Sequence, residues 1–407
     1  MTRVRWMWIV VAWLVATPAT AQVLDGEWVR RSEQRIADAR QTDLRVVVLD
    51  ANDRAVVDAP VRVEQVRHDF PVGFTLRDTT WPSAYNADAP LWRVFNAIAI
   101  DGVTGWSAYD EADRDALAKV IQEARQRGMF VRWGGGIAAD MARNPDWLSD
   151  VAADDQRLAI EAHARQIVQR YGWQVDQLDL YTHALDHDLI ERRFGLPALR
   201  GLYEQARADS PNLKLGVRVH DRLVGDRLQE LVRAITDWRH SFVPVDVVAI
   251  EQRVRGTLAQ APVERALSWL SELDVQVVLV GLEVGGVSDA AAAMNLETLL
   301  RLLFADENVG GIWFGDMSAE EVGTPYAELF DADGELTHGG QLVDRLFSEL
   351  WWTDETLHTD ELGNARTRVF AGTHRITAEL GEGRSVEMTV HVPMDADERM
   401  VVVQEGF

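Results

Sequence analysis

Cysteine is absent from all 407 residues, which excludes disulfides, thiolate metal sites and cysteine nucleophiles. Stability therefore rests on packing. No serine sits in a G-x-S-x-G elbow, which disfavours a serine esterase, and the glycine-rich "WGGGIAAD" lacks both the Lys-Ser/Thr and the G-x-G-x-x-G that cradle phosphate. Its glycines suit the floor of a cleft or a tight turn. No internal apolar run reaches the roughly 20 residues that span a bilayer. The longest apolar run, over 6–16, follows Arg3 and Arg5 and precedes "TPATA", which offers an A-x-A site at Ala19 and Ala21. That pattern predicts a secretory signal peptide over 1–21, cleavage before Gln22, and a periplasmic or secreted protein with no membrane partner after cleavage. Basic residues are also scarce relative to acids: net charge is −24, a field that repels phosphate backbones and excludes nucleic acid as a partner but leaves neutral sugars indifferent.

What is present points to a large soluble fold. With 47% hydrophobic and 26% charged residues the composition is that of a globular protein, and the length suits a (β/α)8 barrel of about 250 residues with smaller appendages. Eight apolar runs, at 70–75, 97–100, 130–132, 178–181, 215–219, 245–250, 275–280 and 311–314, read as buried strands. Amphipathic stretches such as "EADRDALAKVIQEARQRG" and "DDQRLAIEAHARQIVQRYG" separate most of them, with Gly128, Gly172 and Pro211 at helix stops. This alternation predicts an α/β fold of the (β/α)8 TIM barrel type over 70–352. Alternating β-branched runs at 44–49 and 60–66 predict a hairpin within a helix and β module over 22–69. Further short strands predict a C-terminal β module over 353–407. Neither end has enough strands for a sheet of its own, so the two termini are expected to pair into one small β-sandwich.

In such a barrel, function sits on the loops after the C-terminal strand ends. The positions to inspect are then Asp101, Gly134 to Gly136, His183, Arg218, His220, Glu251, Glu283 and Asp316. His183 and His187, spaced i,i+4 beside Asp186 and Asp188, could form part of a zinc site, but without a third ligand no metal and no cofactor are predicted.

Several stretches are similar, in order, to blocks of glycoside hydrolase family 10, the endo-β-1,4-xylanases. "VDQLDLYTHAL" resembles the family's "VDxWDVVNEAL", "QARADSPNLKLGV" its "ARxADPxAKLxxN", "NPDWL" its "LPxWL", "GIWFGD" its "xFWG", and "ELFDADGELTHGGQLVDRLFSELWWTDE" its closing helix. The resemblance runs from about residue 70 to 352 and implies polysaccharide or oligosaccharide as partner; it leaves the oligomeric state open.

The catalytic positions depart from the pattern. Ungapped placement puts His183 at the family's acid/base glutamate and Gly281 at its nucleophile, with Glu283 at the aspartate that follows. As substrate contacts the resemblance leaves Trp106 and Asp179 unchanged and puts Arg218 at an asparagine and Glu251 and Arg253 at the strand-6 "QxH"; Trp313, near a strand end, is a further candidate platform for a sugar. Retaining cleavage needs two carboxyl groups roughly 5 Å apart, so the resemblance implies a xylan-binding or xylan-acting protein that is catalytically impaired. The alternative is an active O-glycosyl hydrolase with relocated carboxylates, Glu283 with Glu251 or His183.

Overall fold

The computed structural model describes residues 24–79, 94–111, 114–224, 227–315, 328–331, 335–381, 383–394 and 398–404. The signal peptide expected over 1–21 and the candidate Asp316 lie outside them. The described chain begins with helix α1 (Gly26–Arg40), whose N-terminus is capped by the Asp25 carboxylate accepting from the Glu27 N–H. Strands β1 (Gln41–Leu49) and β2 (Pro60–His68) follow.

The central sheet is built from β3 (Val72–Leu76), β4 (Ala97–Ile100), β5 (Phe130–Trp133), the two-residue β6 (Ile137–Ala138), β7 (Gln177–Thr182), β8 (Lys214–His220), β9 (Val247–Val254), β10 (Gln276–Val284) and β11 (Val309–Phe314). All its pairings are parallel, and β5 pairs with β7 through Arg132 with Gln177 and Trp133 with Leu178, which closes eight strands into a barrel. Each of the eight strands overlaps one of the apolar runs read from the sequence, with β3, β9 and β10 beginning one or two residues later than expected. Such runs suit strands covered on both faces: one face meets the surrounding helices, the other the barrel interior.

The two faces differ in content. Toward the helices lie Val277, Leu279, Val248, Ile250, Leu215 and Val217, part of one large apolar core. Inside, the lower barrel is filled by Ala97, Ala99, Val247, Ala249, Val278, Val280 and Trp313. It is a packed interior, not a pore.

The termini build two further sheets. One has the order β13 (Asn364–Phe370), β1, β16 (Glu398–Gln404); the other has β12 (Asp354–His358), β2, β14 (Gly372–Gly381), β15 (Arg384–Val392). They share a core of Leu44, Val46, Val61, Val63, Val369, Ile376, Val392 and Val403, so the expected sandwich of both termini is present. The expected hairpin is not. β1 and β2 lie in opposite sheets, because the loop between them carries the chain across the sandwich so that both apolar faces meet in one core. Asp50 organises that loop by accepting from the Asn52 and Arg54 N–H groups at 2.8 and 2.9 Å. Where α1 meets the barrel, buried Arg40 donates to the carbonyls of Phe304 and Val309 at 2.7 and 3.0 Å. Among the described residues no helix is long and apolar enough to cross a membrane.

Candidate active site

Along each interior face the apolar positions give way to polar ones at the C-terminal end. Ala97 and Ala99 lead to Asp101, and Val247 and Ala249 lead to Glu251 and Arg253, because side chains on a strand alternate with period two. Strand β10 departs from this rule. Val278 and Val280 face inward, so simple alternation would bring Leu282 inward and turn Glu283 to the helices. Instead the register slips between Val280, opposite Glu251, and Glu283, opposite Arg253, and Leu282 and Val284 join the helix-facing core. Gly281 makes this bulge with φ at +52°, a left-handed backbone that favours glycine. The bulge directs Glu283 to the mouth.

A continuous set of charges occupies that mouth. Arg132 and Asp179, both fully buried, form an ion pair in the barrel interior. Arg218, buried at the end of β8, reaches across the mouth: its guanidinium pairs with Asp101 at the end of β4, donates to the Gly134 carbonyl at 3.0 Å, and places Nε 3.7 Å from Asp179 and 3.9 Å from Glu251. His220 bridges outward, with Nε2 3.1 Å from Glu251 Oε2 and Nδ1 3.2 Å from Asp186 Oδ2. Asp186 in turn accepts from fully buried Arg222 at 3.0 Å and pairs with Arg227 at 2.9 Å. On the next strand Arg253 Nε lies 2.9 Å from Glu283 Oε2.

These contacts separate the titrations. Burial acts to raise the Glu251 pKa, but the His220 hydrogen bond and the nearby Arg218 charge outweigh it and hold the carboxyl down at about 2. Glu283 is shifted the other way: burial raises it, and the opposing Arg253 and Arg77 charges do not cancel that. His183 is lowered to about 4, by burial first and then by the neighbouring His220, so its imidazole is neutral at ordinary pH. Its ring lies 4.5 Å from that of His220 and tilted to it by 39°, its Nδ1 lies 3.2 Å from Thr182 Oγ1, and its φ is +58°.

The sequence candidates therefore separate into two groups. His183, Glu251, Glu283, Arg218, Arg253 and Asp179 gather at or just below the mouth. Trp106 and Trp313 offer no open ring face for a sugar: Trp106 is 4% exposed and stacks on His163 at 4.2 Å, and Trp313 is fully buried in the lower interior. Arg132 and Arg222 were missed, and Asp186 was singled out only beside His183 and His187 as part of a zinc site, not as the anchor of His220. An arginine alternating into the buried run "FVRWG" was the available signal, since it demands a carboxylate on the same inner face, and Asp179 in "LDLY" supplies it.

The family model for glycosyl hydrolase family 10 matches residues 64–335. Among solved structures the barrel is similar to xylanase 10B from Thermotoga petrophila RKU-1 in complex with xylobiose, at TM-score 0.60 and 14% identity, covering 69% of this chain and 95% of that one. It is also similar to a thermostable mutant of the Cellvibrio japonicus xylanase Xyn10A, at TM-score 0.58 and 17% identity, covering 69% and 98%. Curated relatives include the anti-sigma-I factor RsgI6 of Acetivibrio thermocellus, 22% identical over 88% of this chain and 48% of the relative, and endo-1,4-beta-xylanase 1 of Arabidopsis thaliana, 20% identical over 85% and 37%. The chain thus spans less than half the length of these two. With the closed barrel, the polar mouth and a family match over most of its length, the chain belongs to glycosyl hydrolase family 10.

Proposed function

We propose that this barrel is an exported glycan-binding protein that takes xylan-type polysaccharide, or fragments of it, in its mouth, and that the family's two-glutamate cleavage is impaired in it. One observation carries the second half. Neither position that the family pattern assigns to a catalytic glutamate holds a carboxylate: His183 is neutral at ordinary pH, and Gly281 has no side chain. Meanwhile Asp101, Asp179 and Asp186 are each held by a guanidinium. Family membership, together with relatives that are themselves named xylanases, supports the first half. We further propose the division into a barrel over 70–352 flanked by modules over 22–69 and 353–407, with the leader removed before Gln22.

Calorimetric titration of xylohexaose into the chain from Gln22 tests the binding. A saturable heat, accompanied by a rise in Tm with ligand concentration, is expected, because a ligand that binds only the folded state must stabilise it. No heat and no shift at millimolar ligand would remove the reading.

A further inference from the structure

The glycine at the family's nucleophile position is not an empty place. A methyl added at Gly281 would meet Glu251 Cγ at 3.2 Å, Cδ at 3.5 Å and Oε1 at 3.8 Å, so the Glu251 side chain, reaching over from β9, lies directly against the place where a side chain on residue 281 would begin. Glu283 lies in the same way over Gly315, whose added methyl would meet Glu283 Cγ at 3.1 Å and the Gly281 carbonyl carbon at 3.6 Å. Two glycines side by side thus floor two carboxylates. A glutamate at 281 would be both strained at φ +52° and crowded against Glu251, so the lost carboxylate and the new one belong to one rearrangement.

We infer that Glu251 has taken the place of the missing nucleophile and, with Glu283 as proton donor, forms a rebuilt retaining glycosidase pair. This rests on the proposed binding of a xylan-type glycan in the mouth. His220, held on its other side by Asp186, fixes the Glu251 carboxylate, and the Asp186 anchor is itself fixed by Arg222 and Arg227. The backbone around the pair also holds non-glycine residues at positive φ, His183, Leu185 and Asp221, a strain that persists at functional sites when surrounding structure enforces it. The shifts of the two carboxyls run in opposite senses, Glu251 downward and Glu283 upward, the order that sets a nucleophile apart from a proton donor.

The chemistry balances without a cofactor. A Glu251 carboxylate oxygen bonds to the anomeric carbon as its bond to the leaving oxygen breaks, and Glu283 transfers its proton to that oxygen. Water then attacks the anomeric carbon, the glycosyl bond to Glu251 breaks, and the water proton returns to Glu283.

The test uses 2,4-dinitrophenyl 2-deoxy-2-fluoro-β-xylobioside, which departs without needing a proton and leaves a slow glycosyl-enzyme. Intact-mass analysis of the wild-type chain is expected to show one covalent adduct, mapped by peptide sequencing to Glu251. Glu283→Gln is expected to lower xylohexaose cleavage about 10²–10⁴-fold, the usual worth of a general acid, with a much smaller loss on unfluorinated dinitrophenyl xylobioside. Glu251→Ala is expected to lose turnover and to regain it with azide as a glycosyl azide, a rescue that a structural role does not produce. Ligand that binds by calorimetry yet gives neither adduct nor turnover, or an adduct on another residue, overturns the pair alone. Absence of binding removes the pair together with the glycan reading.

Discussion

The lower and upper halves of the barrel interior share strands β4, β9 and β10 and the inward face, yet they obey different rules. Below, Ala97, Ala99, Val247, Ala249, Val278, Val280 and Trp313 fill the space with alkyl groups and one indole. Two residues beyond Ala99 and Ala249 stand Asp101 and Glu251, two beyond Glu251 stands Arg253, and β7 and β8 add Asp179 and Arg218, so that charge replaces alkyl groups. Alkyl groups tolerate one another in any orientation, because dispersion and water exclusion are non-directional. Buried charges do not, since each must find a partner or lose several kcal/mol. The upper half is therefore a specified network, whereas the lower half is a volume to be filled.

Removing one member of the network is the most severe way to break this contrast. Asp179→Ala leaves Arg132 without its carboxylate and Arg218 with one fewer, and is expected to cost about 3–5 kcal/mol in urea denaturation. A cost below about 1 kcal/mol would show that the charges are not closely coupled. In the lower layer, Val247→Ala deletes alkyl volume only; about 2 kcal/mol should be lost, with xylohexaose affinity unchanged within about twofold. Gly281→Ala sits at the boundary. Its left-handed backbone costs roughly 1–2 kcal/mol for any residue with a Cβ, and the new methyl pushes on Glu251, so ligand affinity should fall along with stability.

The pH dependence sharpens the contrast further, since only the upper half titrates. His183 is held at about 4 in the fold against 6.5 when free, so the unfolded chain takes up that proton first and stability falls as pH drops from about 6.5 to 4. Glu251, held at about 2 against 4.5, contributes stability that is complete above about pH 4.5 and is lost as pH falls toward 2. A Tm series should therefore decline in two stages, and His183→Asn should shrink the upper one, to which burial of His68, His163 and His374, also held at about 4, 3 and 4, contributes as well. An unaltered profile in that variant would assign the upper stage to another group. The smallest effect belongs outside both halves: Trp173→Ala, at a side chain 79% exposed, should change stability by no more than about 0.5 kcal/mol.

Much of the fold was legible because strands covered on both faces must be apolar throughout, and eight such runs between amphipathic stretches leave few alternatives. The joining of the two termini was legible for a similar reason, too few strands at either end. Which sheet β1 and β2 would enter was not, since alternation marks an apolar face but not the sheet that carries it. Within the site, Glu251 and Arg218 followed from their place at strand ends. The orientation of Glu283 depended on one extra residue in β10, and a bulge at Gly281 leaves no pattern in a single sequence that distinguishes it from regular alternation. The inward arginines were visible as anomalies in buried runs, but their partners lie some 40 to 120 residues away, beyond the reach of local spacing. Trp106 and Trp313 were expected to contact sugar from their strand-end positions, and that position alone does not tell an indole facing the mouth from one buried beneath it.

The most direct measurement of the central claim is reducing-sugar release from xylan by the chain from Gln22, beside Glu251→Gln and Glu283→Gln, with each protein shown to be folded by its thermal transition. Slow release by the wild-type chain that vanishes in Glu251→Gln and falls steeply in Glu283→Gln is the expected result. Release that persists undiminished in both variants, or no release from a chain that binds xylohexaose, would contradict a carboxylate pair moved to β9 and the end of β10.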